Sequence, residues 1–417
     1  MRNKAAILSI LAAIVLLMAK SVSAQSVVDY DLIMRNVSTA TMWDGKVVNI
    51  FGFAPNILNA WLPGPTLVAN EGDTLNVFVW NISQGAPHTV HWHGMDVDQA
   101  NDGVPHTSFS LGHMEDTNYV FVAQHAGTYM YHCHVHGIVH VQMGMYGPLI
   151  VRPADGSKRA WTGGPSYHSD MMWLTSELDS YWHDTLAEEP VIHPDSLHDE
   201  VEVPVYAPDY FLVNGLSETQ LDSSKTAINA REAERVYLRL ANMGYYMNRY
   251  VFPSVLNATV LDSDGRPLPD SIRTDTLEVM PGERYGVMLT PTGRFDTVVQ
   301  VDYMDLFNFE VKSTQWVPVH VRGHVAIDEA NASSSLKVYP NPAAGRLNIS
   351  WEEAASKPES IRIMDLSGRV LLTPLPKNQI SAIQTIDISS LPSGIYLLQM
   401  ETAIGSSHHR VVVSNGQ

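Results

Sequence analysis

Apolar and polar positions alternate over short runs along most of the chain. Thr74-Leu75-Asn76-Val77-Phe78-Val79-Trp80 is one such run and Gly147-Pro148-Leu149-Ile150-Val151 is another, with Gly, Pro and Asn punctuating the intervals. Successive side chains of a strand point to opposite faces, so runs of this kind between Tyr30 and Pro153 predict an all-β sandwich. A second set, including Arg235-Val236-Tyr237-Leu238-Arg239-Leu240 and Tyr285-Gly286-Val287-Met288-Leu289, fills roughly Ser166 to Gly323 and predicts a second sandwich. Few stretches carry the 3.6-residue period of an amphipathic helix. Asn331-Ala332-Ser333-Ser334-Ser335 has the small polar composition of a linker, and a third small β unit follows it. The pattern therefore divides the chain into a leader over 1–24, sandwiches over 25–155 and 156–325, a linker over 326–335 and a C-terminal β unit over 336–417.

The leader sets the compartment. Arg2 and Lys4 precede an apolar run from Ala5 to Met18, and Val22-Ser23-Ala24 supplies small residues for cleavage before Gln25, the layout of a secretory signal. That run is too short to span a bilayer.

The length of 417 residues exceeds one ordinary domain, and an apolar fraction of 45% gives each part a core to bury. The formal charge of −18 argues against nucleic acid as a partner, because neutralising phosphates requires Lys and Arg. The acidity is uneven: the tail from Leu336 holds seven basic and six acidic residues, which leaves −22 on residues 25–335. A single Cys excludes an intrachain disulfide framework, a Cys-based zinc ribbon and an iron–sulfur cluster. Histidine is the unusual component. Of 18 His, 10 fall between His88 and His140, and no Lys or Arg occurs between Lys46 and Arg152. A histidine-dense stretch without cations suits a bound metal cation.

Two clusters stand out, His88-Thr89-Val90-His91-Trp92-His93-Gly94 and Tyr131-His132-Cys133-His134-Val135-His136-Gly137-Ile138-Val139-His140-Val141-Gln142-Met143-Gly144-Met145. Residues i and i+2 of a strand share a face, so His91 pairs with His93 and His132 with His134, and neighbouring strands would bring the four imidazoles to one point. Cys133 then faces the other way and is free to join a second metal, with its flanking peptide joining the two sites. Two imidazoles, a thiolate and a distant thioether select copper over magnesium, calcium or zinc, and His88, His140 and Met145 are placed to complete such a set. His136 and Met143 are the rival positions. Trp92 is expected in the sandwich core, and His106, His113 and His125 in solvated loops.

These residues resemble the multicopper oxidases, particularly short two-domain laccase-like forms, over most of Tyr30 to Gly323. The likeness includes Pro63-Gly64-Pro65-Thr66-Leu67, Glu71-Gly72-Asp73-Thr74, the His-Trp-His-Gly run, Asn101-Asp102-Gly103-Val104-Pro105 and Ala126-Gly127-Thr128-Tyr129. Phe211-Leu212-Val213-Asn214-Gly215, Leu240-Ala241-Asn242 and Met280-Pro281-Gly282-Glu283-Arg284-Tyr285 extend it as scaffold motifs. The resemblance implies two cupredoxin-like sandwiches. It makes His88, Cys133, His140 and Met145 the ligands of a type 1 copper, and His91, His93, His132 and His134 half of a type 2/type 3 cluster. Single electrons from a small donor (a phenol, an aromatic amine, a metal ion or a redox protein) would pass through Cys133 to an oxygen-reducing copper. The chain departs from the family in two ways: five residues, Val135 to Val139, separate the second pair from its next ligand where three are usual, and only two HxH pairs are present where a trinuclear site takes four. His168, His183, His193, His198, His320 and His324 of the second sandwich form no such pair. Three classes follow. A homo-oligomer, plausibly a trimer, could supply the missing ligands to an oxidase that uses dioxygen. A nitrite reductase-like enzyme could use a simpler type 2 site, with Asp96 or Asp98 delivering protons. Or the protein could bind copper and pass electrons without substrate chemistry.

The tail carries Val338-Tyr339-Pro340-Asn341-Pro342, Ile363-Met364-Asp365-Leu366-Ser367-Gly368-Arg369 and Leu391-Pro392-Ser393-Gly394-Ile395-Tyr396. It resembles the C-terminal sorting domain of the type IX secretion system of Bacteroidetes, which implies the outer-membrane secretion machinery as a partner and a secreted or cell-surface location. His408 and His409 are expected on a polar turn.

Overall fold

In the computed structural model the described residues are 26–85, 87–186, 204–323, 336–351, 358–365, 369–374, 383–402 and 405–414. The leader, the linker and His193, His198 and His324 lie outside them. The chain forms two compact units, residues 1–323 and 324–417.

The first sandwich contains β1 (Val27–Thr41), β2 (Val47–Ala54), β3 (Leu67–Asn70), β4 (Thr74–Asn81), β5 (His91–His93), β6 (Asp116–Val122), β7 (Gly127–His132) and β8 (Tyr146–Arg152). One sheet runs β2-β1-β4-β6 and the facing sheet β3-β8-β7-β5. The alternation in β4 does what its sequence demands: Leu75, Val77 and Val79 enter the core while the intervening residues stay half-exposed. Trp92, Tyr119, Tyr131 and Cys133 fill the same core.

The second sandwich contains β9 (Ser169–Leu178), β10 (Tyr210–Val213), β11 (Ile228–Arg231), β12 (Val236–Asn242), β13 (Met247–Val251), β14 (Thr259–Ser263), β15 (Arg266–Arg273), β16 (Thr276–Val279), β17 (Arg284–Leu289), β18 (Phe295–Met304) and β19 (Val311–Arg322). Its sheets run β10-β9-β12-β17-β14-β15 and β11-β19-β18-β13-β16. The pairings repeat those of the first sandwich. A parallel pair leads into two antiparallel steps in both β3-β8-β7-β5 and β11-β19-β18-β13.

Every residue of β12 is buried. A strand buried on both faces needs a layer on each side. Val236, Leu238 and Leu240 line the second core, while Ala241 packs with Met130 and Tyr146 of the first sandwich and Arg239 Nη1 donates to Thr128 Oγ1 at 3.2 Å. This packing sets the start of β17, and with it Arg284, against β7.

The C-terminal unit is a pair of antiparallel sheets, β20 (Leu336–Tyr339), β21 (Arg346–Trp351) and β24 (Ile383–Asp387) in one, and β22 (Pro358–Met364), β23 (Val370–Leu372), β25 (Gly394–Thr402) and β26 (Gly405–Val413) in the other. His408 and His409 do not form a turn. They lie on β26, paired with Gln399 and Leu398, because the pairing of β25 with β26 already begins at Thr402 and Gly405.

Candidate metal centres

The ends of four elements meet at the first donor set. His88 precedes β5 and is pinned by a two-way backbone bridge to Leu111. Cys133 follows β7, His140 sits in the short helix α1 (Gly137–Gln142), and Met145 leads into β8. The backbone ties three of them together: Cys133 N donates to Met145 O at 3.0 Å, and Met145 N donates to His140 O at 2.9 Å. All four residues are buried. Cys133 Sγ lies 3.2 Å from His140 Nδ1 and 3.8 Å from His88 Nδ1, and those two nitrogens are 3.3 Å apart. Burial holds His88 well below the ordinary imidazole pKa, with the neighbouring His140 and His136 adding to the effect, so it presents the neutral, metal-binding form. His88 Nε2 is buried without a hydrogen-bond partner. The ring is thus oriented by what it shares with the thiol, a fit for a soft cation on two nitrogens and one sulfur.

Met143 is equally buried, and its carbonyl accepts from Phe51 N at 2.9 Å. His136 opens α1 in the left-handed region, φ 42°, with its ring centroid 5.9 Å from that of His140.

The second set forms on the other face of β5 and β7. In register His91 pairs with His132, and the ligand atoms of His91, His93 and His132 all lie within 4.8 Å of one another. Two tautomers are fixed from outside the set. The Nδ1–H of His91 donates to the Asp102 carbonyl at 2.8 Å and that of His132 to the Cys133 carbonyl at 2.9 Å, which leaves both Nε2 atoms as acceptors. His132 Nε2 is 3.2 Å from His93 Nδ1. Burial lowers His132 to about 3, and burial with the charge of Arg284 lowers His93 to about 4.

The His134 ring is as near, its centroid 5.3 Å from that of His91, but its ligand atom does not join the other three within 4.8 Å. The four rings gather as expected, while the donor atoms of three converge, because β7 ends at His132. Cys133 N still bonds to Met145, the next pair in the β7–β8 register, but His134 N turns to Thr89 Oγ1 at 3.1 Å, and there the chain leaves the pleat.

Other expectations change as well. Asp96 is engaged by Arg266, 2.5 Å, and His125, 3.5 Å. Asp98 caps the turn at Gln99–Asn101. The acid at the imidazoles is Asp102, whose Oδ1 lies 3.3 Å from His91 Nδ1. Nor is the surrounding space free of cations, since Arg284 arrives from β17. Asp102 was visible only as part of the Asn-Asp-Gly-Val-Pro run, and Arg284 only as part of a scaffold motif.

The described histidines of the second sandwich join no three-donor group among the described residues. His168 Nδ1 accepts from Arg235 N at 2.9 Å, both nitrogens of buried His183 face the carbonyls of Asn49 and Gln142, and His320 bridges Asp296 and Asp222. In register, β13 and β18 repeat β5 and β7, since the first residue of one pairs with the last of the other in both. Met247 and Met304 therefore occupy the positions of His91 and His132, and Arg249, ion-paired to Asp302 at 2.6 Å, that of His93.

Family models described as multicopper oxidase match residues 55–156 and 174–311. The chain belongs to the multicopper oxidase family. Copper is the metal of these oxidases, and a further model, described as a secretion system C-terminal sorting domain, matches residues 337–414. That domain implies export by the type IX system, to the cell surface or beyond. Laccase-7 of Arabidopsis thaliana is 26% identical over 299 residues, which are 68% of this chain and 47% of that protein. Copper resistance protein A of Pseudomonas syringae pv. tomato is 30% identical over 280 residues, 58% of this chain and 43% of that protein. The chain thus spans about half the length of the curated relatives it matches. The crystal structure of a blue copper oxidase from Nitrosomonas europaea superposes with a TM-score of 0.57 at 26% identity, over 73% of this multicopper oxidase and 89% of that one.

Proposed function

We propose that this multicopper oxidase is an exported copper oxidoreductase that takes single electrons from a small donor and delivers them to dioxygen. His88, Cys133 and His140, with Met145 as the distant thioether, hold a type 1 copper; His91, His93 and His132, with His134 beside them, hold the acceptor copper, of type 2 or type 3. Bound copper supplies one-electron redox chemistry at both places. The observation that carries the reading is the position of Cys133. Its thiol belongs to the first set, while its peptide continues into His132 and its carbonyl accepts from the His132 ring at 2.9 Å. One residue therefore joins the two sets by a covalent and a hydrogen-bonded route. The buried histidines remain neutral donors, and the aromatic core around Cys133 keeps water from the thiolate.

A donor has a place to dock. A cavity of about 750 Å³ is lined by Trp61, Leu62, Ile50, Met171, Met172 and Leu216. Ile50 precedes Phe51, whose ring meets the His140 ring edge-on at 5.9 Å. A phenol or an aromatic amine suits that lining, and a small redox protein would dock at its mouth.

Oxygen uptake by the copper-loaded full chain with a phenolic donor tests the reading: uptake is expected, and its absence from protein with both sites loaded sinks it. The register match of His91, His93 and His132 with Met247, Arg249 and Met304 favours a second reading. A neighbouring copy in a homo-oligomer such as a trimer would offer no imidazole from β13 or β18, so the acceptor site would hold one copper, as in a nitrite reductase-like enzyme or an electron-transfer protein. Nitrite turnover and the copper count per chain separate these readings. For the tail, retention in the periplasm on deleting 336–417 is the expected sign of type IX export after Sec translocation.

A further inference from the structure

One wall of the cavity lined by Trp61 and Ile50 is the turn after β10. Asn214 and Gly215 form that turn with left-handed backbones, φ 53° and 74°. A Cβ on Gly215 would stand 2.1 Å from the Leu62 carbonyl oxygen, so the second sandwich lies directly on this part of the first. The Asn214 carboxamide is fully used: Oδ1 accepts from Leu174 N at 2.8 Å, and Nδ2 donates to the carbonyls of Met172 at 2.6 Å and Lys225 at 2.8 Å. It thereby fixes the backbone of Lys225 beside β9. Lys225 is the one charged residue of the lining among the described residues. It is exposed, and its Nζ makes no hydrogen bond or ion pair with any described residue. The acids nearest it in sequence are engaged elsewhere: Glu218 Oε1 accepts from Gln315 Nε2 at 3.0 Å, and Asp222 Oδ1 faces His320 Nε2 at 3.1 Å. Trp61, on the same cavity, is 53% exposed.

An unpaired ammonium on the wall of an apolar cavity is a place for an anion, and on residues 25–335, which carry −22, it is a local exception. The lining supplies no carboxylate to neutralise it. We propose that Lys225 makes this cavity selective for aromatic donors that carry a carboxylate, of the hydroxycinnamate or hydroxybenzoate class. The ammonium holds the carboxylate, and Trp61 with the apolar lining holds the ring. The proposal rests on reading the cavity as the donor's place. In turnover the donor's hydroxyl group gives one electron to the type 1 copper and its proton to water, while the carboxylate keeps its charge. Lys225 therefore binds the donor alike before and during electron transfer, and its effect falls on KM.

Para-hydroxycinnamate and its methyl ester are the probes, titrated calorimetrically into the copper-loaded full chain, reduced and free of oxygen so that nothing turns over. The acid is expected to bind about three- to tenfold tighter than the ester at low ionic strength, the range for one ion pair at a partly open site. Most of that margin is expected to vanish in about 0.5 M salt. Lys225→Gln is expected to bring the acid down to the affinity of the ester and to leave the ester as in wild type, while Lys225→Arg keeps the margin. Trp61→Ala is expected to weaken both ligands about tenfold, which places the binding in this cavity. Oxygen uptake by Lys225→Gln is expected to show a KM for the acid raised by the factor lost in binding. Equal binding of acid and ester by the wild-type chain, a margin that survives Lys225→Gln, or affinities untouched by Trp61→Ala overturn the proposal. A chain that keeps the margin but takes up no oxygen overturns the oxidase reading instead, and calorimetry beside oxygen uptake tells the two failures apart.

Discussion

Glu177 offers a quantitative test of how the second sandwich is built. Its carboxyl group is buried on β9, where Oε1 accepts from the backbone N–H groups of Tyr245 and Tyr246 and Oε2 has no hydrogen-bond partner. Burial raises its pKa from 4.5 to about 7 against the opposing pull of those two N–H groups and of the Tyr206 hydroxyl. The folded state then holds a proton that the unfolded state has released between pH 4.5 and 7. Stability from the neutral carboxyl is therefore full below that window, falls as pH rises through it, and is lost above it. A displacement of this size corresponds to about 3 kcal/mol. Glu177→Gln stays neutral throughout and keeps an oxygen for the two N–H groups, but places an unpaired amide N–H near Oε2, which costs about 1 to 2 kcal/mol at every pH. The variant is expected to be less stable than wild type at pH 4.5 and more stable by about 1 to 2 kcal/mol at pH 8. Urea unfolding of the copper-loaded chain at half-unit steps from pH 4.5 to 8 measures the difference, in which the pH dependence of metal binding cancels. Parallel profiles for the two proteins would show that Glu177 is ionised in the fold and refute the reasoning.

Three further outcomes follow from the packing. Gly94→Ala forces a side chain into a left-handed position, φ 84°, and against Arg284; it is expected to lower the melting temperature by several degrees, and an unchanged melt would mean that Arg284 moves freely. Arg239→Ala removes a fully buried guanidinium bonded to Asp170 at 3.1 Å and to Thr128 across the two sandwiches, with an expected loss of about 3 kcal/mol by urea unfolding. Cys133→Ser is expected to abolish the intense visible absorption of a copper–thiolate bond and to lower the copper count by one per chain, while the resonance of the histidine-bound copper persists; retention of the visible band would remove Cys133 from the first set.

What the sequence discloses of the site is what the backbone dictates locally. His91 and His93 share a face because strand side chains alternate, and Trp92 enters the core for the same reason. His140 and Met145 reach Cys133 because the whole excursion through α1 is short and its ends are tied by two backbone bonds. His134 shows where that logic stops: alternation places it with His132 only while the strand lasts, and the hydrogen bond from His134 N to Thr89, 45 positions away, takes the chain off the ladder first. Asp102 and Arg284 were hidden for a related reason, since a loop carbonyl and a guanidinium from the other sandwich acquire meaning only through packing.

The duplicated sandwiches carry this one step further. β5 with β7 and β13 with β18 share a topology and a register, yet one pair presents imidazoles where the other presents two methionines and an ion pair. Sheet pairing depends on backbone hydrogen bonds and on the apolar inner face, both of which the second sandwich keeps. It places no comparable demand on the residues at the strand ends. Metal-ligating side chains can therefore stand at these strand ends in one copy and be replaced at the described strand ends of the other while the sheet pairing is kept. The second sandwich then acts on the site through its surface, by the loop that sets Gly282 and Arg284 against His93.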